Sequence, residues 1–387
     1  MSDKLRIGAI GWGLRGGLAA IANKPDEGSE LVALADLSEK AHAKFKERIG
    51  EDRFVTTDYL DLLKQNLDAV FVMSPDWLHE EHACTLLEAG MNIYLEKPMA
   101  ITTEGCDRIL YSAKKGGAKL FVGHNMRHFG IVKKMKEWIK EGKIGEVKAG
   151  WCRHYVSYGG DAYFRDWHAD RTKSTGLLLQ KGAHDIDVLH YLCGGYSKKV
   201  SAMGALSVYG DIQDRQEPGN PITVQFRAVW PPNTLDKLNP VVDVEDINMM
   251  LMELDNGVLA SYQQCHYTPD AWRNYTIIGT EGRMENFGDA PGNSVIRLWD
   301  HNHQRYSEKG DLEYNVPVAT GGHGGADELI VSEFLNYVRT GQTLVTTPIA
   351  ARQSVAAGVA ATQSVRSGGQ LVEVPAIDPD LEAYFNA

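Results

Sequence analysis

Over the first 125 residues, short apolar runs alternate with amphipathic stretches. Leu5 to Ile10 is an apolar run that ends in glycines, and Leu14 to Asn23 reads as helical until Pro25 stops it. Leu31 to Asp36 is a second apolar run. Ser38 then caps a helix over Glu39 to Ile49, which Gly50 terminates. The grammar continues with a buried strand over Ala69 to Met73 and a helix that Asp76 caps and that runs to Ala89. A strand follows at Asn92 to Leu95, then a helix over Thr103 to Lys115 and a strand over Leu120 to Val122. Strands and helices alternating at this spacing predict a parallel sheet with right-handed crossovers, covered on both faces. Residues 1-124 therefore read as a doubly wound (Rossmann) α/β domain.

Beyond residue 125 the period changes. A helix near Ile131 to Ile139 is followed by strands of period 2 at Val147 to Tyr158, Val200 to Tyr209, Val241 to Leu254, Gly257 to His266 and Arg273 to Ile278. Pro- and Gly-rich connections fall at Glu217 to Pro221 and Pro231 to Pro240. Two helices, Ala326 to Arg339 and Pro348 to Arg366, precede a last short strand at Leu371 to Val374. Residues 125-387 thus read as an α+β substrate-binding and oligomerisation domain with a large open, mainly antiparallel sheet.

Composition narrows the partners. Hydrophobic residues make up 43% and charged residues 24% of the 387, values of an ordinary globular protein. No apolar run approaches the roughly 20 residues that a membrane-spanning helix needs. With 40 Lys and Arg against 51 Asp and Glu, the net charge of −11 repels polyanions and anionic lipid surfaces, so neither nucleic acid nor membrane is expected as a partner. The five cysteines are widely spread and contain no C-x-x-C pair, which fits a reducing, cytoplasmic setting. The opening MSDKLRIGAIGWG lacks the pattern of a signal peptide, so the whole chain is read as mature protein.

The first chemical signal is Gly11-Trp12-Gly13-Leu14-Arg15-Gly16, a G-x-G-x-x-G run placed between a strand and a helix. There a tight turn, close backbone approach and unpaired helix N–H groups favour a pyrophosphate. Asp36, at the end of the second strand, is placed to accept from a ribose 2′-hydroxyl and to repel a 2′-phosphate, so NAD is expected rather than NADP. Arg15 is expected either against the pyrophosphate or in solvent. The second signal is Glu96-Lys97-Pro98, at the carboxyl end of a strand, where open α/β sheets place ligand contacts. Lys97 can stabilise an alkoxide as its proton leaves, and Glu96 can hold that lysine.

With Ser74-Pro75-Asp76-Trp77-Leu78-His79 and Gly123-His124-Asn125-Met126-Arg127 added, the chain resembles the glucose-fructose oxidoreductase / inositol dehydrogenase / MocA (Gfo/Idh/MocA) family over essentially its whole length. The resemblance implies a two-domain enzyme that binds NAD(P) and oxidises or reduces a secondary alcohol of a sugar or cyclitol. It implies that Gly11, Gly13, Gly16 and Asp36 hold the dinucleotide and that Ser74, Pro75 and His79 flank its ribose and nicotinamide side. Glu96 and Lys97 would lie at the reacting centre, and Asn125 and Arg127 would line the junction of the domains. The family's G-x-x-x-D-x-G-x-H-x-x-D segment reads here Gly176 to Asp187, with Gln180 at the aspartate position and His184 at the histidine. A glutamine cannot raise the basicity of His184 as a carboxylate would. His184 is still expected as the base, since an unperturbed imidazole at about 6.5 suits removal of a hydroxyl proton, while the nearby cations Lys97 and Lys181 are expected to lower that value. Lys181 reads as an anion clamp on the substrate or as a solvated lysine. His184, Asp187 and His190 do not share the spacing of a metal site, nor do His79 and His82, and no metal is expected.

A carbohydrate wall is expected from His154, Tyr155, Tyr158, Tyr163, Arg165, Trp167 and His168, with Gln263, His266, Tyr267 and His323 completing it. Six cations against three anions between Lys148 and Lys181 suggest an anionic substituent on the substrate. The preferred reading is an NAD-dependent sugar, sugar-acid or cyclitol dehydrogenase. A second is an NAD-dependent redox glycosidase acting on an anionic glycoside such as a sulfoquinovoside, and a third is a non-catalytic sugar or dinucleotide sensor. A large sheet with one open face predicts a homodimer or homotetramer.

Overall fold

In the computed structural model, residues 4–219, 229–290 and 292–386 are described; the connection expected at Glu217 to Pro221 lies partly outside them. Two compact units interleave along the chain. One takes the residues up to Asn125, then Gly321–Arg352 and the tail from Ile377; the other takes the described residues of Met126–Thr320 and Gln353–Ala376. A division after residue 124 accounts for the first crossing, and the structure adds two returns to the first unit. The helix Ala326–Thr340 makes the longer return, because its apolar face (Ile330, Val331, Phe334 and Leu335) enters the first core. Phe334 meets Phe71 edge-on at 5.1 Å and Tyr94 at 5.7 Å between ring centroids. An amphipathic pattern shows that a helix has a buried face, not which sheet receives it.

The first unit holds six parallel strands: β1 (Leu5–Ile10), β2 (Ser29–Ala35), β3 (Phe54–Thr56), β4 (Ala69–Val72), β5 (Asn92–Leu95) and β6 (Leu120–Val122). Their order is β3-β2-β1-β4-β5-β6, so the order reverses between β1 and β4, where doubly wound sheets open a ligand crevice at their carboxyl ends. Ser38 accepts from the Ala41 amide and starts the helix Glu39–Ile49 as expected. Asp76 does not cap the next helix. The Leu78 amide bonds the Pro75 carbonyl at 2.9 Å, which tightens Asp76–Leu78 into a 3-10 turn, and the α-helix begins at His79.

The second unit carries a nine-stranded sheet, ordered β14-β13-β12-β11-β7-β10-β9-β8-β15. Its strands are β7 (Val147–Tyr155), β8 (Ser197–Ala205), β9 (Ile247–Leu254), β10 (Leu259–Cys265), β11 (Trp272–Gly279), β12 (Arg283–Ala290), β13 (Asn293–Trp299), β14 (Leu312–Asn315) and β15 (Val372–Glu373). Every described pairing is antiparallel except β7 with β10. The strands β12 to β14 escaped the hydrophobic pattern because polar residues such as Glu285, Asn286 and Arg297 interrupt it, although Met284, Ile296 and Leu298 are buried in the core. One face packs against the helices Gly130–Lys140 and Gly182–Cys193 through Ile131, Met135, Ile186 and Leu189. The other face keeps Trp151, Met203, Met249, Leu251 and Leu259 exposed.

Candidate active site

In the first unit, β1 runs straight into Gly11, whose φ of +87° favours glycine. A Cβ there would stand 2.7 Å from the Met73 carbonyl oxygen, whereas one on Gly13 would meet nothing within 4 Å. The turn is thus pressed against the end of β4 at its first glycine and open at its second, as a backbone cradle requires. Gly16 packs its bare Cα against the ring of Trp12, 3.1 Å from where a Cβ would sit. Leu14 is exposed. Asp36 closes the site's second edge: its Oδ2 accepts from the Trp12 amide and its Oδ1 from the Ser38 amide, both at 2.8 Å. These bonds fix the carboxylate while leaving further lone pairs for a ribose hydroxyl.

Arg15 takes neither of its expected positions. Its Nε donates to Glu96 Oε1 at 2.8 Å, and its two terminal nitrogens reach the Asp327 carboxylate at 3.2 and 3.3 Å. Asp327 also accepts from Asn125 Nδ2 at 3.1 Å and faces His323 Nδ1 at 2.8 Å. Burial disfavours charge on Asp327, yet His323 and Arg15 hold its carboxyl below the usual carboxylate range. Glu96 therefore grips the glycine turn, and its Oε2 accepts from the backbone amide of Lys97 at 2.8 Å. Asp327 could not be foreseen as Arg15's partner, because 312 residues separate the two.

Behind the turn, His79 is wholly buried, with Nδ1 2.7 Å from the Pro98 carbonyl oxygen and Nε2 2.8 Å from that of Ser74. Ser74 Oγ in turn bonds His82 Nδ1 at 2.9 Å. His79 thus staples together the segments that follow β4 and β5, Pro75 and Lys97 included. Its two ring nitrogens face these carbonyls, which place the ring between the ends of β4 and β5.

In the second unit the sheet register builds a polar cluster. Tyr262 of β10 and Tyr275 of β11 flank Cys152 of β7 in one row, and Gln264 and Arg273 flank His154 in the next. The helix Gly182–Cys193 lowers Asp185, fully buried, onto both rows. Asp185 accepts from Tyr262 Oη at 3.0 Å, Tyr275 Oη at 2.5 Å and Arg273 Nε at 2.9 Å, and lies 2.8 Å from His154 Nδ1. Burial opposes its charge, but Arg273 and His154 hold the carboxyl below its ordinary range. Burial and then the Arg273 charge pull His154 down to about 3, so the imidazole is neutral. Neither Asp185 nor Arg273 was singled out as a candidate. The signal for Asp185 was a pair of carboxylates, Asp185 and Asp187, in a largely apolar helix, AHDIDVLHYL.

The sequence matches the NAD-binding Rossmann-fold domain of the GFO_IDH_MocA oxidoreductase family over residues 5–124, and that family's C-terminal α/β domain over residues 136–374. The chain belongs to the Gfo/Idh/MocA family. It is 30% identical over 210 residues to myo-inositol 2-dehydrogenase of Thermotoga maritima, covering 54% of this chain and 60% of that protein. It is 30% identical over 203 residues to 2,7-anhydro-N-acetylneuraminate hydratase of Mediterraneibacter gnavus, covering 50% of this chain and 51% of that protein. The chain thus spans little more than half the length of these two relatives. The structure of levoglucosan dehydrogenase with NADH and levoglucosan superposes with a TM-score of 0.76 at 20% identity, over 97% of this chain and all of that one. The Gly11 cradle and the tethered Asp36 fit the dinucleotide that this Gfo/Idh/MocA domain binds.

Other expected contacts of this Gfo/Idh/MocA chain are spoken for. Arg127, 7% exposed, makes a two-pronged pair with Asp187 at 2.9 and 2.7 Å and stacks 4.6 Å above the Tyr191 ring. His190 Nε2 is engaged with Ser197 Oγ at 2.8 Å. Tyr155 points to the opposite face of β7 from His154, since neighbouring strand residues alternate. Trp167 stacks on His168 with ring centroids 3.7 Å apart. His323 belongs to the first unit, on the Asp327 cluster.

The cationic wall is neutralised from elsewhere. Arg165 pairs with Asp161 and Asp236, Arg171 with Asp243, Lys173 with Asp170, Arg153 with Glu285 and Lys148 with Glu146. Four of those carboxylates, Glu146, Asp236, Asp243 and Glu285, lie outside the window over which the charges were counted. Gln180, buried, ends the short helix Leu177–Gln180, and His184 stands half-buried in the first turn of the helix Gly182–Cys193. Lys181 alone of the six cations is found on phenols, those of Tyr158 and Tyr163, among the described contacts.

Proposed function

We propose that the chain transfers a hydride between NAD and a secondary alcohol of a sugar, sugar acid or cyclitol. The observation that carries this is the turn at Gly11, pressed on β4 and open at Gly13, with Asp36 tied to its backbone. NAD supplies the hydride acceptor or donor. Asp36 binds the ribose hydroxyls and selects against a 2′-phosphate. Lys97, following β5, donates to the reacting oxygen and stabilises the alkoxide. The relatives named for myo-inositol and levoglucosan support the substrate class. The pairing of the wall's cations weakens the case for an anionic glycoside.

The outer face of the nine-stranded sheet supports a homo-oligomer. Met203 and Met249 are ladder partners, Leu251 sits two residues along the same face, and Trp151 lies one strand beyond Ser261. These side chains form a contiguous apolar surface suited to a second copy of the chain. The five free cysteines support a reducing, cytoplasmic setting.

The test incubates the full chain with NAD and, separately, myo-inositol, levoglucosan and a sulfoquinovoside. Net NADH from a polyol supports the dehydrogenase. Release of aglycone with no net NADH supports the redox glycosidase, and NAD binding with no exchange of substrate deuterium into the cofactor supports a sensor. Lys97→Ala is expected to lower turnover by about 10²-fold or more with NAD still bound. Near-normal turnover refutes the assignment of Lys97.

A further inference from the structure

Lys181 is 8% exposed, and its Nζ donates to Tyr158 Oη at 3.1 Å. The same ammonium lies 5.4 and 5.5 Å from the ring centroids of Tyr158 and Tyr163. Arg273 of β11 places a second positive charge near the Tyr158 phenol, and Asp289 of β12 a more weakly felt negative one. Arg273 reaches Asp289 at 3.5 Å and is itself held by Asp185. Beside them His266 is fully buried and meets Tyr163 edge-on at 5.2 Å; neither of its ring nitrogens has a hydrogen-bond partner. Burial, and then the nearness of His154 and Lys181, keep that imidazole neutral. A buried imidazole with unspent hydrogen-bonding capacity, beside the Tyr163 ring and near the Lys181 ammonium, offers polar groups of the kind a ligand hydroxyl engages.

We propose that Tyr158, held by Lys181, is the proton-transfer residue for the substrate's reacting hydroxyl, in the part that a carboxylate-backed His184 would otherwise play. Gln180 removes that carboxylate, and the Tyr158–Lys181 pair supplies an alternative base. The assignment rests on the oxidoreductase reading above. In the oxidative direction the substrate O–H bond breaks and a Tyr158 O–H bond forms. The carbon's C–H electron pair leaves as hydride to NAD⁺, and a C=O bond remains. Tyr158 is the catalytic residue; Lys181 acts through it and is a positioning residue. Burial alone would raise the pKa of Tyr158 and oppose its ionisation, but the charge of Lys181 and then that of Arg273 outweigh it and bring the phenol below its usual value.

Alkaline titration of the phenolate absorption band tests the pair in the full chain without any substrate. The difference between wild type and Tyr158→Phe isolates the Tyr158 transition. It is expected below the ordinary phenol value of about 10 and should move upward in Lys181→Met. A transition at or above the ordinary value, or one that Lys181→Met leaves in place, overturns the proposal. With whichever of myo-inositol or levoglucosan gives NADH, Tyr158→Phe should lower kcat about 10²-fold or more. The pH limb of kcat/KM should survive His184→Gln but shift upward in Lys181→Met. Undiminished turnover in Tyr158→Phe, or a limb lost with His184→Gln alone, also overturns it. NAD titration of each variant separates the outcomes: loss of binding in wild type sinks the oxidoreductase reading, whereas binding with a normal phenol sinks only this one.

Discussion

Arg127 and Asp187 form a two-pronged ion pair, with Nε to Oδ2 at 2.9 Å and Nη2 to Oδ1 at 2.7 Å, and both side chains are buried. An arginine expected at the junction of the domains thereby holds the helix Gly182–Cys193. Removing one partner strands the other charge without solvent. Arg127→Met is expected to cost about 3–5 kcal/mol of stability by denaturant titration. NAD affinity should stay within about twofold of wild type, since 1.4 kcal/mol of affinity is about tenfold. A large loss of affinity with normal stability would return Arg127 to the ligand.

The Asp185 cluster predicts acid sensitivity. Its folded-state pKa is depressed, so the stability it contributes is present above the unfolded value of about 3.9 and is lost as pH falls through and below that value. Asp185→Asn removes this dependence and leaves Arg273 with only the longer Asp289 pair, at a cost of about 3 kcal/mol near neutral pH. Urea midpoints measured from neutral to strongly acid pH should therefore fall more steeply in wild type than in the variant. Parallel curves would show that Asp185 is not the titrating group.

Asp36 is fastened at both oxygens by backbone amides, which makes it a rigid acceptor and a rigid negative charge. Asp36→Ala is expected to weaken NAD binding and to narrow or reverse the preference over NADP, read as the ratio of the two dissociation constants. An unchanged ratio would show that cofactor choice is made elsewhere.

On the outer sheet face, Leu251 is 65% and Met249 54% exposed in the single chain, so charging them cannot disturb the core. The double change Met249→Lys, Leu251→Asp should leave thermal unfolding nearly unaltered and lower the molecular mass found by sedimentation. An oligomer that survives it is not built on this face.

Some of this could be read directly along the chain. The strand, turn and helix around Gly11, the carboxylate at Asp36 and the lysine after β5 are local features. A strand's apolar run, a glycine's permissive φ and a cap's side chain each act within a few residues, so their order in the sequence is their order in space. The antiparallel sheet of the second unit was legible for the same reason where its strands alternate cleanly, and not at β12 to β14, where residues such as Glu285, Asn286 and Arg297 break up the apolar positions Met284, Ile296 and Leu298.

Which charge meets which was a matter for the tertiary structure. Arg15 reaches across 312 positions to Asp327, Arg165 across 71 to Asp236, and Asp185 across 88 to Arg273. Coulomb attraction and desolvation act through space, and the partners that decide a side chain's role arrive from strands and helices anywhere in the chain. The sequence by itself therefore determined the scaffold and the coenzyme cradle. Only the packed fold decided that Arg127 meets Asp187 and Arg165 meets Asp236, that His79 lies between the ends of β4 and β5, and that Lys181 rests on a phenol.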